Sequence, residues 1–180
     1  MRVNKIARSV EFGFEPPEDG RRGTLIYYDA FEHASAIELN AAAAYAEERK
    51  FEKFVLYPIH EETAKRMGIA SARPYHRRLD ELHEWKRDTL NPDILVEGLD
   101  GKRKKYTPID TALRHMADLY PKPFFLLMTP EMANRFASYA SFDEWISKLR
   151  LVLTERPEAP HPKLVQASRR WDAMRDEKNG

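Results

Sequence analysis

The chain of 180 residues has no cysteine, which removes disulfides, thiolate catalysis and cysteine-held metal together. It has no apolar run approaching the roughly 18 residues of a membrane span, and its start lacks the apolar core of a signal peptide. It has almost no charge imbalance: 30 Lys and Arg against 29 Asp and Glu leave +1. Nothing global therefore draws it to nucleic acid or to an anionic membrane, and neither is expected as a partner. No internal repeat or low-complexity tract is visible. The expectation from these absences is a cytoplasmic protein. What is present is an ordinary globular composition, 42% apolar, at a length that suits one domain with a sizeable core.

Residues 105–156 organise the reading. Residues 109–119 have the spacing of a helix, and residues 123–129 hold the run Phe124-Phe125-Leu126-Leu127-Met128. An apolar strand without alternation is what helices on both faces of a parallel sheet demand. Thr129-Pro130-Glu131 supplies an N-cap, a proline at the first helical position and an acid in the first turn. A helix over 130–139, a short amphipathic helix over 142–149 and a strand over 150–154 follow. The fold class expected is α/β, a Rossmann-like doubly wound parallel sheet with helices on both faces. Ligands in such sheets sit outside the carboxyl ends of the strands, which places the Thr129–Glu131 turn at a site.

The remainder fits that plan. Residues 1–22 read as an N-terminal extension, with an edge strand near 9–14 and a turn at 16–20. Residues 23–160 form the Rossmann-like domain. Residues 24–29 are its first strand and 34–50 its first helix, with Ile37, Ala41, Ala44 and Tyr45 as the buried stripe. Residues 51–60 hold the second strand. A helix over 72–85 presents Leu79, Leu82 and Trp85, with His76, Arg77 and Arg78 in its first turns as a solvated face or an anion contact. Residues 91–97 form another strand, and Lys102 to Lys105 an exposed basic loop without interleaved aromatics. Thr107-Pro108 reads as a helix start, Thr107 being the N-cap. Residues 161–180 read as a short C-terminal helix carrying Trp171 and Met174.

The order Tyr106-Thr107-Pro108-Ile109-Asp110-Thr111, Tyr120-Pro121, the strand to Met128, Tyr139, and the strand from Val152 to Arg156 resembles the C-terminal half of the nicotinate/nicotinamide mononucleotide adenylyltransferases, within the Rossmann-like nucleotidylyltransferase superfamily. The resemblance implies roles. Thr107 would meet the pyridine base and Tyr139 would stack on it. Thr129 and Glu131 would replace the family's strand-end Gly-Ala-Asp. His60 and Lys65 would lie in a substrate loop, and Ser168 and Arg169 would hold phosphates. At the first turn the resemblance implies His33 on the triphosphate, with Asp29 beside it at a spacing one residue too long. The family's Gly-Gly-Thr is Ile26-Tyr27-Tyr28 here, and its second histidine is absent. Glycine lets a backbone approach phosphate; these side chains obstruct it. Glu32 adds a repelling carboxylate, and His33 otherwise reads as a solvent-facing or capping residue. His33, His60 and Glu61 are too dispersed to predict a metal.

Two expectations result. One is a degenerate, non-catalytic relative that binds a nucleotide-like ligand, a protein partner or another copy of itself. The other is an active ATP-dependent mononucleotide adenylyltransferase with Mg²⁺ accompanying ATP.

Overall fold

Alternate residues of the central strands enter two separate cores. Ile26, Tyr28, Val55, Tyr57, Leu126, Met128, Leu151 and Leu153 belong to one; Leu25, Tyr27, Phe54, Leu56, Leu127 and Val152 belong to the other. This is the period of two of an extended chain, with both faces covered. It explains why Phe124 to Met128 needs no polar alternation. The computed structural model describes residues 22–33 and 35–175; the edge strand and turn expected near residues 9–20 lie outside the described residues.

The elements run β1 (Arg22–Asp29), α1 (Ala36–Glu48), β2 (Phe51–Pro58), α2 (Glu61–Met67), α3 (Tyr75–Thr89), β3 (Ile94–Val96), α4 (Leu99–Arg103), α5 (Ile109–Leu119), β4 (Phe124–Met128), α6 (Pro130–Ala137), α7 (Phe142–Ile146), β5 (Arg150–Glu155), α8 (Pro162–Gln166), a single 3-10 turn (Ser168–Arg170) and β6 (Trp171–Arg175). The six strands of the described residues pair in parallel in the order β3-β2-β1-β4-β5-β6. This is the doubly wound α/β arrangement of the Rossmann-like type, with its topological switch between β1 and β4. Ile26 stands opposite Val55 on one side and Leu126 on the other, so the register places like residues in one core layer. Helices α1 and α3 supply Leu39, Ala42, Ala46, Leu82 and Trp85 to one face. Helices α2, α5, α6, α7 and α8 cover the other.

At the amino-terminal end of the switch, Thr24 donates its backbone N–H to Pro123 O at 3.0 Å and its hydroxyl to Pro121 O at 2.7 Å. A Cβ on Gly23 would run into the backbone of Pro123, so only glycine permits this approach.

Four local expectations are corrected. Residues 171–175 form a strand, not part of a helix. Trp171 packs against one core and Met174 against the other; positions three apart share a helical face but opposite faces of a strand, and pairing with β5 decides the matter. On α1 the buried residues are Leu39, Ala42 and Ala46, while Ile37 is 80% exposed. Its many alanines leave the apolar stripe nearly without phase, and close packing on the sheet selects the face. Thr107 does not cap α5: it is buried, and Pro108 occupies the N-cap position. The basic run is not all loop, since Lys102 and Arg103 close α4.

Candidate functional site

Parallel strands end together, so the carboxyl ends of β1 and β4 open a crevice at the switch point. It has a volume of about 410 Å³ and takes in Asp29, Ala30, Glu32 and His33 after β1, and Thr129, Pro130 and Glu131 after β4. Tyr27 of β1, Glu38 from α1, Ile69 and Ala70 after α2, and Glu155 at the end of β5 complete it. The size lies within the range of small-molecule sites. A larger hollow of about 690 Å³ lies between α1 and α3 beside Lys50, Phe51, Asp93 and Ile94. That is the amino-terminal end of the strands, away from the switch-point mouth where this architecture places ligands.

The chain shapes the crevice with its own side chains. Asp29 Oδ2 accepts the backbone N–H of Phe31 at 3.0 Å, holding Phe31 at φ +57°. That left-handed conformation costs a bulky residue about 1–2 kcal/mol, and Phe31 is anchored by burial and an edge contact with Tyr27. The N-terminus of α1 is closed by a reciprocal pair: Glu38 N–H donates to Ser35 Oγ at 3.3 Å, and Ser35 N–H to Glu38 Oε1 at 3.4 Å. The N-terminus of α6 is closed likewise. Thr129 Oγ1 accepts Met132 N–H at 3.2 Å, Pro130 has no N–H, and Glu131 adds a negative charge to the first turn. Of the first-turn amides that could cradle phosphate, those of Glu38 and Met132 are thus taken by side chains, and Pro130 has none.

The charge of the crevice is negative. Asp29, Glu38, Glu131 and Glu155 all line it, and Glu155 is engaged by Arg175 at 2.9 Å. Burial pushes the Asp29 carboxyl up to about 6, against the backbone hydrogen bonds of Phe31 and Ala30, with Glu38 and Glu131 adding to the rise. Neighbouring like charges and desolvation both disfavour its ionised form.

Of the residues singled out in the sequence, Asp29, His33, Thr129 and Glu131 meet in the crevice. The others do not line it. His60 caps α2 through Nδ1, accepting Glu62 N–H at 3.1 Å, and Lys65 is exposed on the same helix. Thr107 is 1% exposed; its N–H donates to Thr63 Oγ1 at 2.9 Å, and its own Oγ1 has no partner among the described residues. Tyr139 packs half-buried against the core beside α6. Ser168 and Arg169 lie in the turn before β6, where Arg169 O accepts from Arg150, the first residue of β5. That is the amino-terminal end of the sheet, opposite the crevice.

The structure adds residues that the sequence concealed. Arg78 is fully buried, donating to Ala30 O at 2.6 Å, Ile59 O at 2.8 Å and Arg73 O at 3.0 Å. It thereby ties the exits of β1 and β2 to α3. Glu61 at 3.5 Å and Glu32 at 4.0 Å balance its charge. Burial presses its guanidinium below the ordinary value while both carboxylates raise it, and an arginine stays protonated throughout. Glu32 does more than repel: its carboxylate accepts the N–H groups of Ala72 and Arg73, binding the first turn to the segment before α3. Asp100 is buried too, accepting His60 N–H at 2.7 Å and the Thr63 hydroxyl at 3.2 Å. The Ser35-x-x-Glu38 spacing was a readable signal for the closed helix start; no local signal separates Arg78 from the exposed Arg77 beside it.

Fold and crevice together define a doubly wound α/β protein with a switch-point pocket walled by carboxylates. No protein-family model matches the chain, and no curated protein matches it significantly. Among the described residues no cluster of three or more potential metal ligands occurs, and no helix is long and apolar enough to cross a membrane.

Proposed function

We propose that the chain is a non-catalytic, nucleotidylyltransferase-like binding protein whose crevice receives the nucleoside portion of a ligand and excludes a triphosphate. The observation that carries this reading is the closure of both switch-point helix starts by their own side chains, within a wall of carboxylates. A phosphate charge about 6 Å from one carboxylate is opposed by about 3 kcal/mol at an effective dielectric of about 20. Several such carboxylates make an ATP–Mg²⁺ complex a poor occupant. Ribose hydroxyls, in contrast, donate hydrogen bonds, and Asp29 and Glu131 are acceptors. An apolar base finds Ala30, Ile69, Ala70 and Pro130 along the same crevice. Adenylyl transfer depends on positioned phosphate donors, each worth about 3–4 kcal/mol in the transition state; Ser168 and Arg169, the residues carried over for that work, stand at the other end of the sheet.

The test is a thermal-shift panel of adenosine, nicotinamide riboside, nicotinate mononucleotide, NAD and ATP–Mg²⁺, with a pyrophosphate-release assay alongside. Stabilisation by a nucleoside, lost in Glu131→Ala and absent with ATP–Mg²⁺, is the expected outcome. A ligand at 100 times its dissociation constant stabilises by about 2.7 kcal/mol, a readable shift. Pyrophosphate released from ATP and a mononucleotide would establish the active adenylyltransferase instead.

A further inference from the structure

Six cations lie on three segments: Lys65 and Arg66 on α2, Lys102, Lys104 and Lys105 at and after the end of α4, and Arg135 on α6. All six are exposed, and none forms an ion pair among the described residues. Two of them pass over available acids. Glu62 stands one helical turn before Arg66, and Glu131 one turn before Arg135, the spacing at which such pairs form. Yet Arg66 lies over the ring of Tyr106, 4.3 Å from its centroid, and Arg135 donates to Gly68 O at 3.4 Å.

Those contacts join the segments into one surface. Arg103 donates to Tyr106 O at 3.5 Å, and Thr107 N–H is fixed to α2 through Thr63. Arg135 brings α6 onto the end of α2. Tyr139 follows α6, four residues after Arg135; burial raises its phenol, with Tyr106 adding to the rise and Arg135 opposing it. Two half-buried tyrosines therefore lie among the cations. The sequence showed only a basic run without aromatics; the fold supplies both the aromatics and the additional charges.

We propose that this surface binds single-stranded nucleic acid, its cations tracking the phosphates and Tyr106 and Tyr139 offering ring faces to bases. A positive track interleaved with aromatic rings is the combination that recognises single strands without sequence preference. A membrane surface fits less well, because interfacial binding requires apolar side chains to enter the headgroup layer. The exposed large hydrophobics Ile37, Leu90, Leu119 and Val165 belong to none of the three segments. The inference does not rest on the crevice reading.

The experiment is fluorescence anisotropy with a labelled single-stranded oligonucleotide of about a dozen residues, over a range of salt, using the full chain. Binding should weaken as salt rises, with log–log slope of about −0.7 for each phosphate contact. The double variant Lys102→Glu/Lys104→Glu should lose at least about tenfold and flatten that slope, with its melting temperature unchanged. Tyr139→Leu should weaken binding about tenfold while Tyr139→Phe retains it, as stacking on an aromatic face requires. Absence of binding at low salt, or indifference to charge reversal, would overturn the proposal. So would displacement of the oligonucleotide by poly-glutamate at equal charge, or tighter binding to phosphatidylserine vesicles, which would assign the surface to an acidic protein or to lipid.

Discussion

Asp29 holds its turn with a carboxylate that its surroundings prefer neutral. An unfolded aspartate titrates near 4, and the folded one near 6. Between those values the folded state binds the extra proton, so the contribution of Asp29 to stability is present below about pH 4 and is lost as pH rises through about 6. Asp29→Asn keeps an acceptor for Phe31 N–H without the charge. Its melting temperature relative to the unsubstituted protein should therefore rise between pH 4 and pH 7, corresponding to about 2–3 kcal/mol. A difference that stays constant with pH would show that Asp29 is not held against ionisation.

Arg78 is the opposite case, a buried charge that its partners require. Arg78→Met would orphan the carbonyls of Ala30, Ile59 and Arg73 and leave Glu32 and Glu61 without their cation. A loss of about 3–5 kcal/mol in chemical denaturation is expected. Arg78→Lys should recover only part of it, because an ammonium cannot reproduce the planar fork. Thr107 tests a role carried over by resemblance. Its Oγ1 is buried and unpartnered, so Thr107→Val should be neutral or stabilise by about 1 kcal/mol and leave crevice binding intact. Loss of nucleoside binding in that stable variant would mean that the hydroxyl reaches the ligand.

At the scale of elements, the sequence was most informative where one requirement dominated. The apolar run of β4 and the Thr129-Pro130-Glu131 start of α6 were readable because burial on both faces and N-capping each leave a distinct pattern. Likewise the meeting of Asp29, His33, Thr129 and Glu131 at one crevice was legible, since strand ends in this architecture converge. The phase of α1 was not, because alanine satisfies either face and the sheet makes the choice. Nor was β6: its Trp171 and Met174 spacing suits a helix until β5 offers a partner strand. Burial of Arg78, and the transfer of Thr107 from cap to interior, depend on contacts with residues far along the chain, which no local pattern records.

For the whole molecule, a net charge of +1 conceals a division. Carboxylates wall the crevice between β1 and β4, while cations without an ion pair among the described residues spread over α2, the end of α4 and α6. The two regions meet at the end of α2, where Arg66 and Gly68 belong to one and Ile69 and Ala70 to the other. Charge composition excluded a global attraction for polyanions, but it is an average and carries no information about separation on a surface. The most direct measurement of the central claim is calorimetric titration of the crevice with adenosine and, separately, with ATP–Mg²⁺. The account predicts heat and saturation for the nucleoside, abolished by Glu131→Ala, and no competition from the triphosphate. Tighter binding of ATP–Mg²⁺ than of adenosine, lost in the same variant, would contradict it.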